Sequence, residues 1–372
     1  AEAVPGTETE ALETADPFGK YDETLEIHFV RSTDDTIETN VLANLPGQTL
    51  EDNFWLDTYE EELGIKVVYD WIVKGDDEFN QKMNVSMASG ELPDVMCVTA
   101  TQMQQLIDAG LVQEMGSVYE AYAADFTKEI MSQQGDAPFL AGIKDGVQYG
   151  LPVTGGSVDS VDLMWIPTDW LEELGMEVPQ TMDEDMEMID RFVKADFDGN
   201  GEDDTVGMGI AGTSLLGGGF GGLRGFFNAY GACPGIWVEK DGQLVYGATQ
   251  PECKTALAAL HDMYEKGYID PEFGVMDSTK AGEASAAGKC GFTFGQQWLS
   301  LTPFQSCKDN DPDSQWSAYP LPSATGEAAT AQADLGTNRW IAVNKDFEHP
   351  EAVVKMINLF IEKCWGETGD NG

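Results

Sequence analysis

Residues 65–98 read IKVVYDWIVKGDDEFNQKMNVSMASGELPDVMCV and predict a strand, a helix and a second strand in succession. The stretch 65–73 is rich in β-branched and aromatic residues, which favours a strand. Asp76 or Asp77 can cap the helix that follows, and its inward face repeats at helical spacing through Phe79, Met83 and Met87. The apolar stretch 93–98 predicts a strand covered on both faces, and this order is typical of a parallel sheet.

The same alternation extends outward from this unit. Leu25, Ile27 and Phe29 alternate with polar residues and predict a first strand that ends at Arg31. Residues 53–63 predict a helix, and the Thr101–Gln104 spacing predicts a capping box for another. Three strands separated by helices indicate the parallel sheet of an α/β lobe.

Two Pro/Gly-containing stretches interrupt the pattern and suit crossovers between lobes. These are residues 149–156, YGLPVTGG, and residues 316–322, WSAYPLP. Between them the sequence predicts further strands and helices and a hairpin around Asp241-Gly242. We therefore expect a flexible acidic leader at 1–24, a first lobe formed by 25–152 plus 321–366, and a second lobe at 153–320.

Charge and cysteine content narrow the function classes. The chain has 66 acidic and 20 basic residues and a formal charge of −46. This excess disfavours nucleic acids and anionic membranes and attracts cations. None of the six cysteines forms a CxxC pair. A disulfide between Cys233 and Cys253, which flank the predicted hairpin, stays open, because spacing cannot assign connectivity.

Residues 196–207, DFDGNGEDDTVG, have the spacing of a calcium-binding loop. Oxygen ligands at alternate loop positions, with glycine at the sixth, are typical of such loops. The predicted ligands are Asp196, Asp198, Asn200, Glu202 through its backbone carbonyl, and Asp204. Gly207 replaces the bidentate glutamate expected at the twelfth position, so we predict a structural calcium site rather than a calcium sensor. The alternative is a solvated acidic turn.

Sequence motifs for catalysis are missing. Histidine occurs at positions 28, 261 and 349, and we expect none of them to neighbour another plausible ligand. There is no G-x-S-x-G or H-E-x-x-H motif. The glycine-rich segment 212–225 lacks the Lys-Ser/Thr of a phosphate loop. Paired acids have no specificity among 66 carboxylates, so we expect a binding protein, not an enzyme.

Aromatic residues suggest the ligand. Several of the nine tryptophans follow predicted strand ends, where ligands bind in open α/β sheets. Trp298, in FGQQW, follows such a strand, and Gln296 and Gln297 beside it offer amide groups. An indole face stacks on the apolar face of a sugar while amides bind hydroxyls. Core packing is the competing interpretation for each tryptophan.

The ordered set of motifs resembles the family 1 extracellular solute-binding proteins of ABC importers, especially the long lipoprotein branch of Gram-positive bacteria. The stretches that carry the resemblance include DNFWLDTYEEELGIKV, FNQKMNVSMASGELPDVM, TQMQQLIDAGL, MWIPTDWLEELGMEVPQTMDE, DFDGNGEDDTVG, GKCGFTFGQQW and NRWIAVNKDFEHPEAVVKMINLF. The resemblance implies a periplasmic-binding-protein-like type II fold, with two α/β lobes joined by a hinge and a ligand cleft between them. It also implies an extracellular monomer, a permease partner and a lipid anchor on a cysteine before Ala1.

The resemblance also implies the ligand-binding residues. Trp298 would stack on a sugar, with Gln297 beside it. Arg31, Ser32 and the segment from Asn53 to Trp55 would line the first lobe's side of the cleft, and Trp165 and Arg339 are similarly placed. Members of the branch continue past a segment like NLFIEKCWGE, so we expect the C-terminal part of the second lobe to lie outside this chain.

These features predict a receptor that captures a carbohydrate, most simply a neutral oligosaccharide, and delivers it to a permease. A receptor for a peptide or another small solute on the same fold is the alternative, because fold does not determine the ligand.

Overall fold

The computed structural model describes residues 15–34, 37–153, 158–202, 204–333 and 335–366. Its strands are β1 Leu25–Thr33, β2 Ile65–Lys74, β3 Val95–Val98, β4 Ile143–Lys144, β5 Val147–Gln148, β6 Gly150–Pro152, β7 Leu163–Pro167, β8 Trp237–Lys240, β9 Gln243–Tyr246, β10 Thr293–Gly295, β11 Trp316–Tyr319 and β12 Trp340–Val343. Its helices are α1 Phe54–Thr58, α2 Asp76–Ser89, α3 Ala100–Asp108, α4 Gly116–Tyr122, α5 Asp125–Met131, α6 Thr168–Leu174, α7 Met182–Val193, α8 Arg224–Ala229, α9 Pro251–Glu265, α10 Ser278–Ala286, α11 Phe304–Asn310 and α12 Pro350–Trp365. None of these helices is long and apolar enough to cross a membrane.

The described residues form two compact units. The first contains residues up to 153 together with 335–366, and the second contains 158–333. The chain therefore passes between the units twice.

The first unit contains a five-stranded sheet in the order β2-β1-β3-β12-β6. β1 pairs in parallel with β2 and β3, whereas β12 runs antiparallel to β3 and β6. Ile27 and Val95 face a core shared with α4 and α12, and Val30 and Met96 face a core shared with α2 and α3. Helices thus cover both faces, as the continuous apolar stretch 93–98 predicted.

Several local predictions in this unit are displaced by one or two residues. The capping box that opens α3 is formed by Thr99 and Gln102, not by Thr101 and Gln104. β1 continues past Arg31 to Thr33, because the pairing with β2 extends to Lys74. The shift at the capping box arises because two overlapping Thr-x-x-Gln spacings occur, and the end of β3 at Val98 selects the first.

The second unit contains a three-stranded antiparallel sheet in the order β10-β7-β11. Strands β8 and β9 form the predicted hairpin, and both turn residues have the positive φ that the Asp-Gly pair favours, 54° at Asp241 and 74° at Gly242. All six cysteines are free thiols, so Cys233 and Cys253 are not joined.

The second crossover lies later in the chain than the sequence indicated. Residues 316–319 form β11 rather than a linker, and the stretch 321–333 stays with the second unit instead of the first. Ser323 forms a bridge with Thr181, and Gln332 bonds the buried Asn228. These bonds hold residues 321–333 in the second unit, although their Pro and Gly content resembles that of a linker.

Candidate ligand-binding and cation-binding sites

Trp298 lies at the carboxyl end of β10, and its indole ring is held in place by Gln296. The Trp298 Nε1–H donates to Gln296 Oε1 at 2.6 Å, and Gln296 Nε2 donates to the Ser160 carbonyl at 2.8 Å. The ring remains partly exposed, and the neighbouring Gln297 is exposed. A ring with a fixed orientation and a free amide beside it can stack on one face of a ligand and bind its hydroxyls.

The glycine-rich segment packs directly against this pair. The Gln296 backbone N–H donates to the Gly218 carbonyl at 3.2 Å. A Cβ at Gly218 would lie 2.3 Å from Gln296 Cδ, and a Cβ at Gly219 would lie 3.7 Å from the Trp298 ring. The glycines therefore allow the backbone to approach the Trp298 site. This contact could not be predicted, because the segment's glycine content shows that the backbone can approach another group closely but not which group.

Trp165 does not belong to this surface, and its assignment as a ligand-binding residue is corrected. Its side chain is buried against Phe304, and its Nε1–H donates to the Gly295 carbonyl at 3.2 Å. With its polar atom paired and its ring packed, Trp165 is a core residue of the second unit.

In the first unit, Ser32 and Arg339 meet through an acidic residue at the carboxyl ends of β1 and β2. Arg339 Nη1 donates to Asn80 Oδ1 at 3.0 Å, and its Nη2 lies 3.3 Å from Asp76 Oδ2. Ser32 Oγ donates to Asp76 Oδ1 at 3.4 Å. The guanidinium also lies over the Phe79 ring. The result is a polar strand-end surface in which the arginine charge is largely balanced by Asp76.

The other residues predicted for the first unit lie elsewhere. Arg31 points to the opposite face of the sheet, where its guanidinium covers the Tyr69 ring. The Asn53 side chain caps α1, accepting from two backbone N–H groups and donating to two carbonyls, so its amide is fully used. Trp55 packs on Phe360 of α12, with ring centroids 5.2 Å apart. Each of these three half-buried residues thus has a packing or capping contact, and their ligand-binding roles stay predictions.

A cavity of about 270 Å³ lies between the first unit's sheet and α12. Its walls are almost entirely apolar, and they include Phe29, Ile341, Met356 and Phe360. Burial raises the pKa of the Cys97 thiol, which also lines the cavity, to about 11. A sugar needs several hydrogen-bonding partners, so this cavity does not suit one.

The acidic loop of the second unit brings together the four side chains predicted as ligands, those of Asp196, Asp198, Asn200 and Asp204. Asn200 Nδ2 lies 2.8 Å from Asp198 Oδ2 and 3.4 Å from both Asp204 oxygens. Asp196 accepts the Gly201 backbone N–H at 2.9 Å. The Glu202 backbone N–H donates to Asn200 Oδ1 at 2.6 Å, and its predicted role through the backbone carbonyl stays a prediction. Gly201 has φ +79°, as the sharp turn requires.

Charge compensation in the loop comes partly from Lys289. Its ammonium pairs with Asp204 and lies 3.8 Å from Asp198 Oδ2. The bond to Lys289 lowers the pKa of Asp204, and the backbone N–H of Gly201 lowers the pKa of Asp196. The carboxylates are therefore held ionised, the form in which they bind a cation, and the donor set fits a hard divalent ion.

All three histidines have acidic neighbours, contrary to the expectation from sequence. His28 Nδ1 lies 2.6 Å from Asp70 Oδ1, and His349 lies 3.3 Å from Glu351. Within the described ranges, His261, Asp262 and Glu265 form the one group of three His, Cys, Asp or Glu residues whose possible metal-ligand atoms lie within 4.8 Å of one another. That group is fully exposed, and 66 acids make such neighbours common.

Two strand-end edges carrying aromatic and polar side chains, one on each α/β unit, are features of a solute-binding protein. The chain belongs to the bacterial extracellular solute-binding protein family, whose model matches residues 44–363.

Two curated relatives have sequences similar to this chain. The lipoprotein LipO of Bacillus subtilis is 29% identical over 238 residues, which cover 63% of this chain and 45% of LipO. The fructooligosaccharide ABC transporter substrate-binding protein FusA of Streptococcus pneumoniae is 26% identical over 230 residues, covering 58% of this chain and 41% of FusA. The chain spans about half the length of the curated relatives it matches.

Solved structures support the fold. FusA in complex with kestose has a TM-score of 0.69 at 20% identity, covering 93% of this chain and 70% of that chain. A solute-binding protein of Bifidobacterium longum infantis, described as binding HMO and associated with an ABC transporter, has a TM-score of 0.70 at 20% identity, covering 94% of this chain and 72% of that one. A further FusA structure is an EF-hand mutant in complex with fructo-nystose.

Proposed function

We propose that this protein is the extracellular substrate-binding component of an ABC importer and that it captures an oligosaccharide for a membrane permease. The observation that carries the proposal is the partly exposed Trp298 ring, held by Gln296 beside the exposed Gln297. This combination of a fixed aromatic face and neighbouring amides matches the apolar faces and hydroxyls of sugars. The kestose complex of FusA, a member of the same fold, supports the ligand class.

A neutral sugar fits the first unit's edge better than an acidic one. Asp76 already balances the Arg339 guanidinium, and Ser32 and Asn80 offer uncharged polar groups beside it. A uronate would have to compete with Asp76 for Arg339 in a protein whose formal charge is −46. We therefore expect kestose-like oligosaccharides to bind more tightly than galacturonate oligomers of equal length.

The test is calorimetric titration with neutral oligosaccharides, galacturonate oligomers and short peptides. Trp298→Ala should weaken the affinity for the sugar that binds by a factor of about 30, the effect of removing a binding hot spot. Trp237→Ala, which removes a tryptophan that is 65% exposed in the same unit, is the matched control and should have no effect. Binding of peptides without any sugar would replace the carbohydrate proposal with the peptide-receptor alternative.

We also propose a structural calcium ion in the acidic loop, held by Asp196, Asp198, Asn200, the Glu202 carbonyl and Asp204. The Asp198 and Asp204 carboxylates that converge on Asn200 and the turn at Gly201 support it, and a solved structure of the relative FusA is described as an EF-hand mutant. Calcium would neutralise the loop's carboxylates and stiffen it.

The proposal also includes the protein's location, its membrane anchor and the absence of catalysis. We propose that the protein works outside the cell as a monomer, anchored by a lipid on a cysteine that precedes Ala1, and that it releases its ligand unchanged. Chromatography of a labelled oligosaccharide after incubation with the protein should return the intact sugar. Shorter products would indicate a paired-acid glycosidase instead.

A further inference from the structure

Helix α8 carries two buried polar side chains one helical turn apart. Arg224 is 3% exposed and Asn228 is 0% exposed, in a helix that otherwise packs into the second unit's core. Residues four apart lie on the same side of a helix. Polar groups buried this completely destabilise the folded state unless they are hydrogen-bonded. The hydrogen-bond partners of Arg224 and Asn228 therefore identify the segments that α8 attaches.

Arg224 binds the segment where the chain enters the second unit. Its Nη2 donates to the Ser160 carbonyl at 2.7 Å and to Asp162 Oδ1 at 2.9 Å, and the Gly225 backbone N–H donates to Asp162 Oδ2 at 2.9 Å. The side chains of this ion pair are 4% and 0% exposed. Both partners lie between the first crossover and β7, so Arg224 attaches the segment that follows that crossover to α8.

Asn228 binds the segment where the chain leaves the second unit. Its Oδ1 accepts the Gln332 backbone N–H at 2.9 Å, and its Nδ2 donates to Gln332 Oε1 at 3.2 Å and to the Ala232 carbonyl at 3.0 Å. Gln332 in turn donates to the Pro234 carbonyl at 3.3 Å. Gln332 immediately precedes the second crossover, so a single short helix holds both.

The anchored segment also reaches the candidate ligand site. The Ser160 carbonyl accepts from Arg224 and, at 2.8 Å, from Gln296, whose side chain orients Trp298. An unbroken series of hydrogen bonds therefore connects Trp298 through Gln296 and Ser160 to Arg224.

We propose that α8 is the common anchor of both crossovers and that Arg224 and Asn228 are positioning residues for ligand capture, although neither contacts the ligand. The link to ligand affinity rests on the proposed function, whereas the anchoring itself does not. Loosening either side chain should loosen both crossovers, because each is attached to the same helix.

Hydrogen–deuterium exchange of the ligand-free protein tests the anchor. The pair Arg224→Met with Asp162→Asn removes both buried charges together, and Asn228→Ala removes the other attachment. Each change should speed exchange in both segments, 158–162 and 329–333, by about tenfold, the scale of coupling between distinct sites. Phe192→Leu, a core change elsewhere in the same unit, should lower the melting temperature without this paired effect. The common anchor would be overturned if each variant sped exchange only in the segment that the changed side chain bonds directly. It would also be overturned if Phe192→Leu sped exchange in both segments as much as the α8 variants do.

Titration with kestose tests the link to Trp298. The Arg224→Met/Asp162→Asn protein should bind about tenfold more weakly than wild type, and Phe192→Leu should bind normally. Unchanged affinity in the double variant would overturn the positioning role. If the wild-type protein binds no sugar, the proposed function fails, while the exchange result still decides whether α8 anchors both crossovers.

Discussion

Two regions of the second unit are stabilised in different ways. One is the acidic loop at residues 196–207. The other, called here the Trp298 cluster, consists of Trp298, Gln296, Ser160, Arg224 and Asp162. The loop is largely exposed, and apart from the pairing of Asp204 with Lys289 its acidic and amide side chains bond one another or a neighbouring backbone N–H over two to five residues. The Trp298 cluster joins residues up to 136 positions apart, and the ion pair behind it is almost fully buried. The loop therefore has excess negative charge that an added cation can neutralise, whereas the cluster is already neutralised by the protein itself.

The largest expected effect comes from the buried ion pair. Asp162→Ala leaves the Arg224 charge buried without its carboxylate partner, and should lower the second unit's free energy of unfolding by about 3–5 kcal/mol. Lys289→Met removes an exposed pair at the loop and should have a much smaller effect. Urea unfolding measures the free energy of unfolding of both variants. Equal losses would show that the buried ion pair contributes no more to stability than the exposed pair at the loop.

Calcium should act on the loop with the next largest effect. An ion that binds only the folded state at 100 times its Kd adds about 2.7 kcal/mol to stability. The melting temperature should therefore rise with calcium, fall again with chelator and become insensitive to both in Asp198→Ala. Asp313→Ala removes an exposed carboxylate elsewhere in the unit and should retain the response. A wild-type melt unchanged by calcium would show that the loop is a solvated acidic turn.

Asp185 on α7 offers a buried acid with no compensating partner, unlike Asp162. Both of its oxygens are buried without a hydrogen-bond partner among the described residues, and burial, with the nearby Glu184 charge, raises its pKa well above 3.8. The folded state then holds a proton that the unfolded state releases, so stability falls as pH rises from 3.8 to the folded-state pKa.

Asp185→Asn should remove this pH dependence. The variant should gain about 1.4 kcal/mol relative to wild type for each pH unit within that window and show no gain below it. Melting temperatures at several pH values measure the gain. A constant difference between the two proteins across pH would show that the carboxyl is paired like that of Asp162.

The smallest effect should come from the glycine that contacts the Trp298 cluster. A methyl group at Gly218 displaces Gln296, so Gly218→Ala should cost about 1 kcal/mol of stability, the low end for overpacking, and weaken sugar binding. At Gly274 an added Cβ meets nothing within 4 Å, so Gly274→Ala is the matched control. If both variants bind sugar like wild type, the glycine-rich segment does not support Trp298.

Much of the first unit could be predicted because its signals are local. The strands at 65–73 and 93–98 were placed within a residue or two, and their parallel arrangement with β1 was confirmed. The acidic ligands of the loop also converge, because alternate positions of one short turn face the same point. The displaced capping box shows the limit, since two identical spacings competed and only the end of β3 chose between them.

The candidate ligand site was only partly predictable. Trp298, Ser32 and Arg339 lie on strand-end edges, but Trp165 is buried in the core of the second unit. A tryptophan in a core and one in a binding site have the same side-chain chemistry, and burial alone separates them. The contacts of Gln296 with Ser160 and of Asp76 with Arg339, which help to orient the candidate residues, could not be predicted because the partners are distant in sequence.

The sequence by itself determined the α/β units, the hairpin and the clustering of acidic side chains in the loop, because periodicity, turn chemistry and short spacings act within a few residues. Only the tertiary structure decided that Trp165 is buried while Trp298 stays partly exposed, where the second crossover begins, and that Arg224 and Asn228 bond the segments beside the two crossovers. Those outcomes depend on hydrogen bonds between segments tens to more than a hundred residues apart, and on the burial that makes such bonds obligatory.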